Sequence, residues 1–201
     1  EPIELGRSLV KVQRGEVKEE IERMDVKQGK LVMGFRVEGI EDYRRMNMAR
    51  ITFALFGGTA NSLLFKNVRE KMSLCYYCSS GYDRSNSIMM VSSGVEAENA
   101  QKARDEVLHQ LEMLKNGEFT DRELEETKLF IRTALMATSD SLGAMDSWYL
   151  AQTVGGSEVS PDMEIALSAQ VSREDVIWVA NHTHLDTVYM LMPNENQKEA
   201  E

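Results

Sequence analysis

The sequence predicts an α+β fold, a largely antiparallel sheet with helices packed on one face. Three observations predict it. Two strand-like segments, "YYCSS" and "SIMMVSSG", are joined through "GYDRSN", whose Gly, Asp, Ser and Asn suit a hairpin loop. Two helix-period segments precede that hairpin with no strand between them. The second half is mainly helical and closes on one strand-like segment. Strands in a hairpin and helices in runs segregate into layers, unlike the strict alternation of a parallel sheet.

Taken in order, "KLVMGFRVE" (30–38) reads as a mostly buried strand, preceded by an edge strand within "EVKEEIERMDV". In residues 42–56, Met46, Ala49, Ile51, Phe53 and Phe56 recur at roughly helical spacing, and Gly57-Gly58 stops that helix. Asn61 or Ser62 caps a second helix running through Leu63, Leu64, Phe65 and Val68 to about Lys71. The hairpin follows. Residues 97–115 carry Ala100, Ala103, Val107, Leu108, Leu111 and Leu114 on one face and close at Asn116-Gly117. Thr120 and Glu123 form a capping box that opens a helix ending near Thr138. "AMDSWYLAQTV" is a further short helix, and "VSREDVIWVANHT" another, capped by Ser172. "DTVYMLM" (186–192) is the closing strand.

At 201 residues the chain is read as one domain, 1–201, with 1–16 and 194–201 irregular. It can bury about two-thirds of its unfolded surface and needs no disulfide staples. Net charge is −10, from 33 acidic against 23 basic residues, which argues against nucleic acid and anionic membrane surfaces as partners. The longest apolar stretch, residues 51–56, is far short of the roughly 20 residues a membrane span needs. No signal peptide is visible, and the start at Glu1 suggests a piece of a longer protein. Two cysteines fit a reducing compartment, hence a cytoplasmic expectation.

Four groups of residues are candidates for chemistry. Cys75 and Cys78 form a C-x-x-C, but they follow a helix and enter a strand, not a helix N-terminus that would activate a thiol. In extended chain, positions three apart point to opposite faces about 10 Å apart, beyond the roughly 7 Å a disulfide allows between Cα atoms. Oxidation to a bridge is the test of a stand-alone thiol module. His109, Glu112 and Met113 match H-x-x-E-H with its last ligand lost, and a catalytic zinc wants three protein ligands. His182 and His184 alternate near a strand start without a third ligand close in sequence. Arg69, near a helix C-terminus, and Tyr76, at a strand start, have plain structural uses there.

The wording around those last two residues changes their weight. "LFKNVREKMSLCYYCSSGY" closely resembles the R-E-K-x-G-L-x-Y stretch in the second-type domain of insulinase-like (pitrilysin) zinc metallopeptidases. "KQGKLVMGFRVEG" resembles that domain's opening strand, and "ARITFALFGGTANSLLFKNVREK" its first helix, double Gly and second helix. "NGEFTDRELEETK" resembles its helix pair, and "VSREDVIWVANHTHLDTVYMLM" its closing helix and strand. The resemblance covers about residues 17–192, nearly the whole chain.

What the resemblance implies is specific. Two related α+β domains face each other across a chamber. The first-type domain, of the same or another chain, holds zinc through H-x-x-E-H. The second-type domain supplies an Arg and a Tyr to the bound peptide, and these map onto Arg69 and Tyr76. Neither is a useful base at neutral pH, but both can donate hydrogen bonds to a peptide carbonyl and the oxyanion it becomes. Two departures stand out. Ser73 occupies the position of the family's Gly, which would allow a left-handed helix exit. The counterpart of the zinc helix, "ARITFALFGG", contains neither His nor Glu. The expectation is therefore a substrate-binding, non-zinc half of a metallopeptidase, inactive as this chain alone, with no cofactor of its own. The alternative is an inactive family member serving as a scaffold or assembly subunit. A homodimer of the isolated domain, formed through its partner-facing surface, is a further expectation.

Overall fold

Alternation along one strand organises the molecule. In β2 (Gly29–Val37), Leu31, Met33, Phe35 and Val37 are buried while Lys30, Val32, Gly34 and Arg36 face the other way. The period of two is what a sheet covered on one side demands. The computed structural model describes residues 15–194. β2 is central in a five-stranded sheet ordered β1 (Lys18–Met24), β5 (Thr183–Pro193), β2, β4 (Ile88–Val95), β3 (Cys75–Asp83). β1 runs parallel to β5 and every other pairing is antiparallel. The sheet is thus largely antiparallel with helices on one face, as the sequence predicts. The irregular termini expected from the sequence fall mostly on residues 1–14 and 195–201, outside the described residues.

The helices are α1 (Tyr43–Phe53), α2 (Ala100–Lys115), α3 (Asp121–Thr138), α4 (Leu142–Gly155), α5 (Pro161–Ala169) and α6 (Arg173–Asn181). Local signals start several of them. Asp42 accepts from the Arg45 N–H at 2.8 Å to cap α1. The Thr120/Glu123 capping box opens α3, and Ser172 with Asp175 does the same for α6. Phe35 from the sheet and Phe53 and Phe56 from the first helical segment are among the largest fully buried side chains. Burying each contributes about 1.5–3 kcal/mol.

Three features depart from the sequence expectation. The segment 65–71 is a π-helix, not an α-helix. The hairpin loop is shorter than "GYDRSN", because β3 continues through Gly81 and Tyr82 to Asp83. The Asp83 carboxylate then accepts from the backbone of Ser85 and Asn86 at 2.9 and 3.2 Å, which forms the turn. Finally, α5 lies where no element is expected, although Ser160 caps it and Pro161 occupies its first turn.

α5 matters because it carries a buried ion pair. Glu164, 1% exposed, accepts from Arg50 at 2.8 Å and from the phenol of Tyr43, tying α5 to α1. Burial first, and the Glu164 hydrogen bond second, push the Tyr43 phenol up to about 12. Among the described residues no helix is long and apolar enough to cross a membrane.

Candidate functional site

The stretch that links the π-helix to β3 positions Arg69 and Tyr76. Ser62 begins the helical turn by accepting from the Phe65 N–H at 3.4 Å. From Phe65 to Lys71 the backbone takes the wider π form, and the Met72 N–H donates to the Asn67 carbonyl at 3.1 Å. Val68 is its buried anchor, which leaves Arg69, Glu70 and Lys71 exposed. The Arg69 guanidinium lies over the Phe65 ring, 4.7 Å from its centroid. Ser73 then turns the chain out of the helix at φ +51°, so it adopts the left-handed exit without being Gly.

Tyr76 sits at a register shift. Cys75 pairs with Val95 and Tyr77 with Gly94, so Tyr76 is the extra residue of a β-bulge. A bulge releases a side chain from the ordinary alternation of the strand. Tyr76 is accordingly 59% exposed, and its phenol donates to Glu96, the residue just beyond β4. That hydrogen bond to a carboxylate raises the Tyr76 pKa, so the group stays a protonated donor at neutral pH. Glu96 is a residue that sequence reasoning missed. Its distance of 20 positions from Tyr76 carries no local signal.

The same bulge corrects the expectation for the thiols. Cys75 and Cys78 do not face opposite ways, since one inserted residue resets the alternation and brings both to the helix-covered face. The neighbouring Cys78 thiol, with Ser93 and the charge of Arg69, lowers the Cys75 pKa to about 7 against the opposing effect of burial. Cys78, buried beside Cys75, is pushed up. Both thiols are free.

The histidine candidates do not assemble. His109 and Glu112 are exposed on α2, and Glu112 is bound to Lys115 at 2.6 Å. His182 ends α6, stacked on Trp178 at 3.9 Å, while His184 lies on β5 with Nε2 3.8 Å from Glu38. They are not neighbours on one strand face. Among the described residues no cluster of three or more His, Cys, Asp or Glu is placed to hold a metal ion.

A concave region away from Arg69 and Tyr76 went unread in the sequence. A cleft of about 350 Å³ opens between the end of α1, β3, α3 and α4, with Arg50, Phe53, Ser80, Tyr82, Arg84 and Trp148 on its walls. Gly57 allows this meeting of elements: a Cβ there would lie 2.7 Å from the Ser80 backbone nitrogen. Ser80 in turn donates to the Phe53 carbonyl at 2.9 Å.

Comparison with known proteins places this geometry in a family. The family model described as "Peptidase M16 inactive domain" matches residues 4–129. The "Probable inactive metalloprotease YmfF" of Bacillus subtilis is 34% identical over 178 residues, 89% of this chain and 42% of that protein. An "Uncharacterized zinc protease" of Rickettsia bellii is 25% identical, covering 78% of this chain and 39% of its own length. The chain thus spans about two-fifths of the curated relatives it matches. A conserved Enterococcus faecalis protein of known structure superposes with a TM-score of 0.82 at 26% identity, over 90% of this chain and 43% of that one. The peptidase M16 inactive domain from Pseudomonas fluorescens gives 0.72 at 21%, over 94% and 47%. With the model matched over more than half its length, the chain belongs to the M16 inactive-domain family, the second-type domain of insulinase-like metallopeptidases.

Proposed function

We propose that the chain is the substrate-binding, non-zinc half of an insulinase-like metallopeptidase. Arg69 and Tyr76 donate hydrogen bonds to a peptide carbonyl, and hold its oxygen more strongly as negative charge develops there. The observation that carries this reading is the bulge at Tyr76, which presents a phenol to solvent on the same short segment as the exposed Arg69. In the free state Glu96 holds that phenol, so peptide binding exchanges one acceptor for another.

Residues 43–58 contain no His or Glu, and α1 gives Ala49, Ile51 and Phe53 to the core. Among the described residues no ligand set fits a zinc ion, and in this reading the metal belongs to a first-type domain. Two facts support such a partner. Its relatives are more than twice the length matched here. On α3 and α4, Leu129, Phe130, Leu142, Leu150 and Val154 are exposed, from 51% to 92%. A single second-type domain over 1–201, a cytoplasmic location and self-association of the isolated domain belong to the same reading.

The test is Arg69→Ala and Tyr76→Phe in the full-length protein with its zinc-bearing partner. Each keeps the wild-type melting temperature and lowers kcat for peptide hydrolysis by about 10²–10³. Unchanged hydrolysis in both variants defeats the role. A scaffold is the second reading, favoured by a relative named as an inactive metalloprotease. Absence of H-x-x-E-H from both the full-length chain and its neighbouring reading frames selects it.

A further inference from the structure

The bulge at Tyr76 changes what two thiols can reach. Cys75 pairs with Val95 and Cys78 with Ser93, so three steps along β3 match only two along β4. At about 3.3 Å per residue, two steps set the Cα atoms roughly 6.6 Å apart, where an unbulged strand would hold them about 10 Å apart. The shorter span lies inside the roughly 7 Å limit for a disulfide. Both side chains also point the same way, with Cys78 in the core and Cys75 packed at its border. Ser93 secures the arrangement, because its hydroxyl donates to the Tyr77 carbonyl at 2.8 Å inside the bulge. Both thiols are free.

The two sulfurs differ in ways that divide the roles. Cys75 is only partly buried, so a small solute can touch it, whereas Cys78 is 4% exposed. Cys78, Ser93 and the Arg69 charge favour the Cys75 thiolate at neutral pH, and the thiolate is the nucleophile. Cys78 is held as the thiol, in part by the charge on its neighbour. Exposure selects the reagent as well. Thiol exchange with another protein's disulfide requires open access to the sulfur, which this strand does not give, but a hydroperoxide is small.

We propose that Cys75 and Cys78 form an oxidation site that takes a hydroperoxide and closes to an intrachain disulfide across the bulge. The Cys75 sulfur attacks one peroxide oxygen and the O–O bond breaks. The displaced oxygen takes a proton from solvent and leaves as water or an alcohol. The sulfur, oxidised by two electrons, keeps the other oxygen and its hydrogen as a sulfenic acid. Cys75 is then neutral, so one cause of the rise at Cys78 is gone. The Cys78 sulfur attacks in turn: the S–O bond breaks, the S–S bond forms, and the hydroxyl departs with the Cys78 proton as water. The bond ties the residues on either side of Tyr76, so it fixes the bulge that presents the phenol. Closure depends on register and thiol chemistry, not on what that phenol binds.

Peptide mapping of the full-length protein tests it, after hydrogen peroxide at neutral pH under conditions that oxidise free cysteine. Trypsin cleavage after Lys71 and Arg84 releases both cysteines on one peptide. The wild-type peptide emerges about 2 mass units lighter than its reduced form, resists alkylation, and regains both thiols with dithiothreitol. Cys78→Ala stops at the sulfenic acid, which dimedone captures on Cys75. Cys75→Ala leaves Cys78 reduced, because the buried thiol meets no peroxide. Any of three results overturns the proposal: two free thiols in wild type, Cys75 driven on to the sulfinic acid beside a reduced Cys78, or oxidation of Cys78 in Cys75→Ala. If a variant does not fold, the wild-type peptide decides alone. The masses do not read hydrolysis, so this site and the Arg69/Tyr76 role can fail separately.

Discussion

Cys75 and Cys78 lie on one face of β3, close enough for each thiol to shift the titration of the other, a proximity that exists because Tyr76 is bulged between them. The inserted residue does two things at once. It brings two thiols together and turns a phenol outward. Each consequence can be measured.

Thiol reactivity is the first. Cys78, Ser93 and Arg69 hold Cys75 near 7, and the thiolate is the nucleophile. A lowered pKa means that thiolate accumulates, and alkylation accelerates, as pH rises through about 7. Mass-spectrometric iodoacetamide labelling should therefore modify Cys75 with a midpoint near that pH and leave buried Cys78 untouched. Arg69→Ala removes a stabilising charge and moves the midpoint upward. Equal labelling of both thiols would contradict the geometry.

The Tyr76 phenol provides a second test. Its pKa is raised because Glu96 accepts from the neutral form and repels the phenolate. Glu96→Gln takes away that charge, so the phenol titrates at lower pH, toward the ordinary value of about 10. Carbon-13 NMR of the ring follows it. A titration that does not move shows that the two side chains are apart in solution.

Ser73 carries backbone strain at φ +51°. A left-handed conformation costs an ordinary residue about 1–2 kcal/mol, partly offset in Gly by unfolded-state entropy. Ser73→Gly is expected to stabilise by roughly 0.5–1 kcal/mol, read from chemical denaturation. Ser73→Val should destabilise. A destabilising Ser73→Gly would mean that the hydroxyl, rather than the backbone, matters at this exit.

Glu164 makes the strongest demand on stability. Glu164→Ala strands Arg50 and Tyr43, and because Arg50 is a quarter exposed the loss is about 3 kcal/mol, the low end for a broken buried pair. A loss of unfolding free energy under about 1 kcal/mol, read from urea denaturation, would show that water replaces the carboxylate.

Gly57 guards the approach of the first helical segment to β3. Gly57→Ala sets a methyl 2.7 Å from a backbone nitrogen, which cannot yield as a flexible side chain would. A cost of about 1–3 kcal/mol follows, seen as a lower melting temperature. An unchanged melting temperature would show that the turn and strand can separate freely.

Read from the chain alone, the layering, the element order apart from α5, and the helix starts at Thr120 and Ser172 were legible. Each rests on neighbours within about four positions, where hydrogen bonding and periodicity act directly. The wording around Arg69 and Tyr76 likewise identified the family, since it is a contiguous string. Folding in three dimensions alone revealed the bulge that aims Tyr76 and joins the thiols, the Glu96 acceptor, and the cleft shared by Arg50, Tyr82 and Arg84. Strand register and helix-to-sheet approach depend on pairing between residues tens of positions apart, and a one-residue slip reverses which face a side chain takes. No local pattern encodes that.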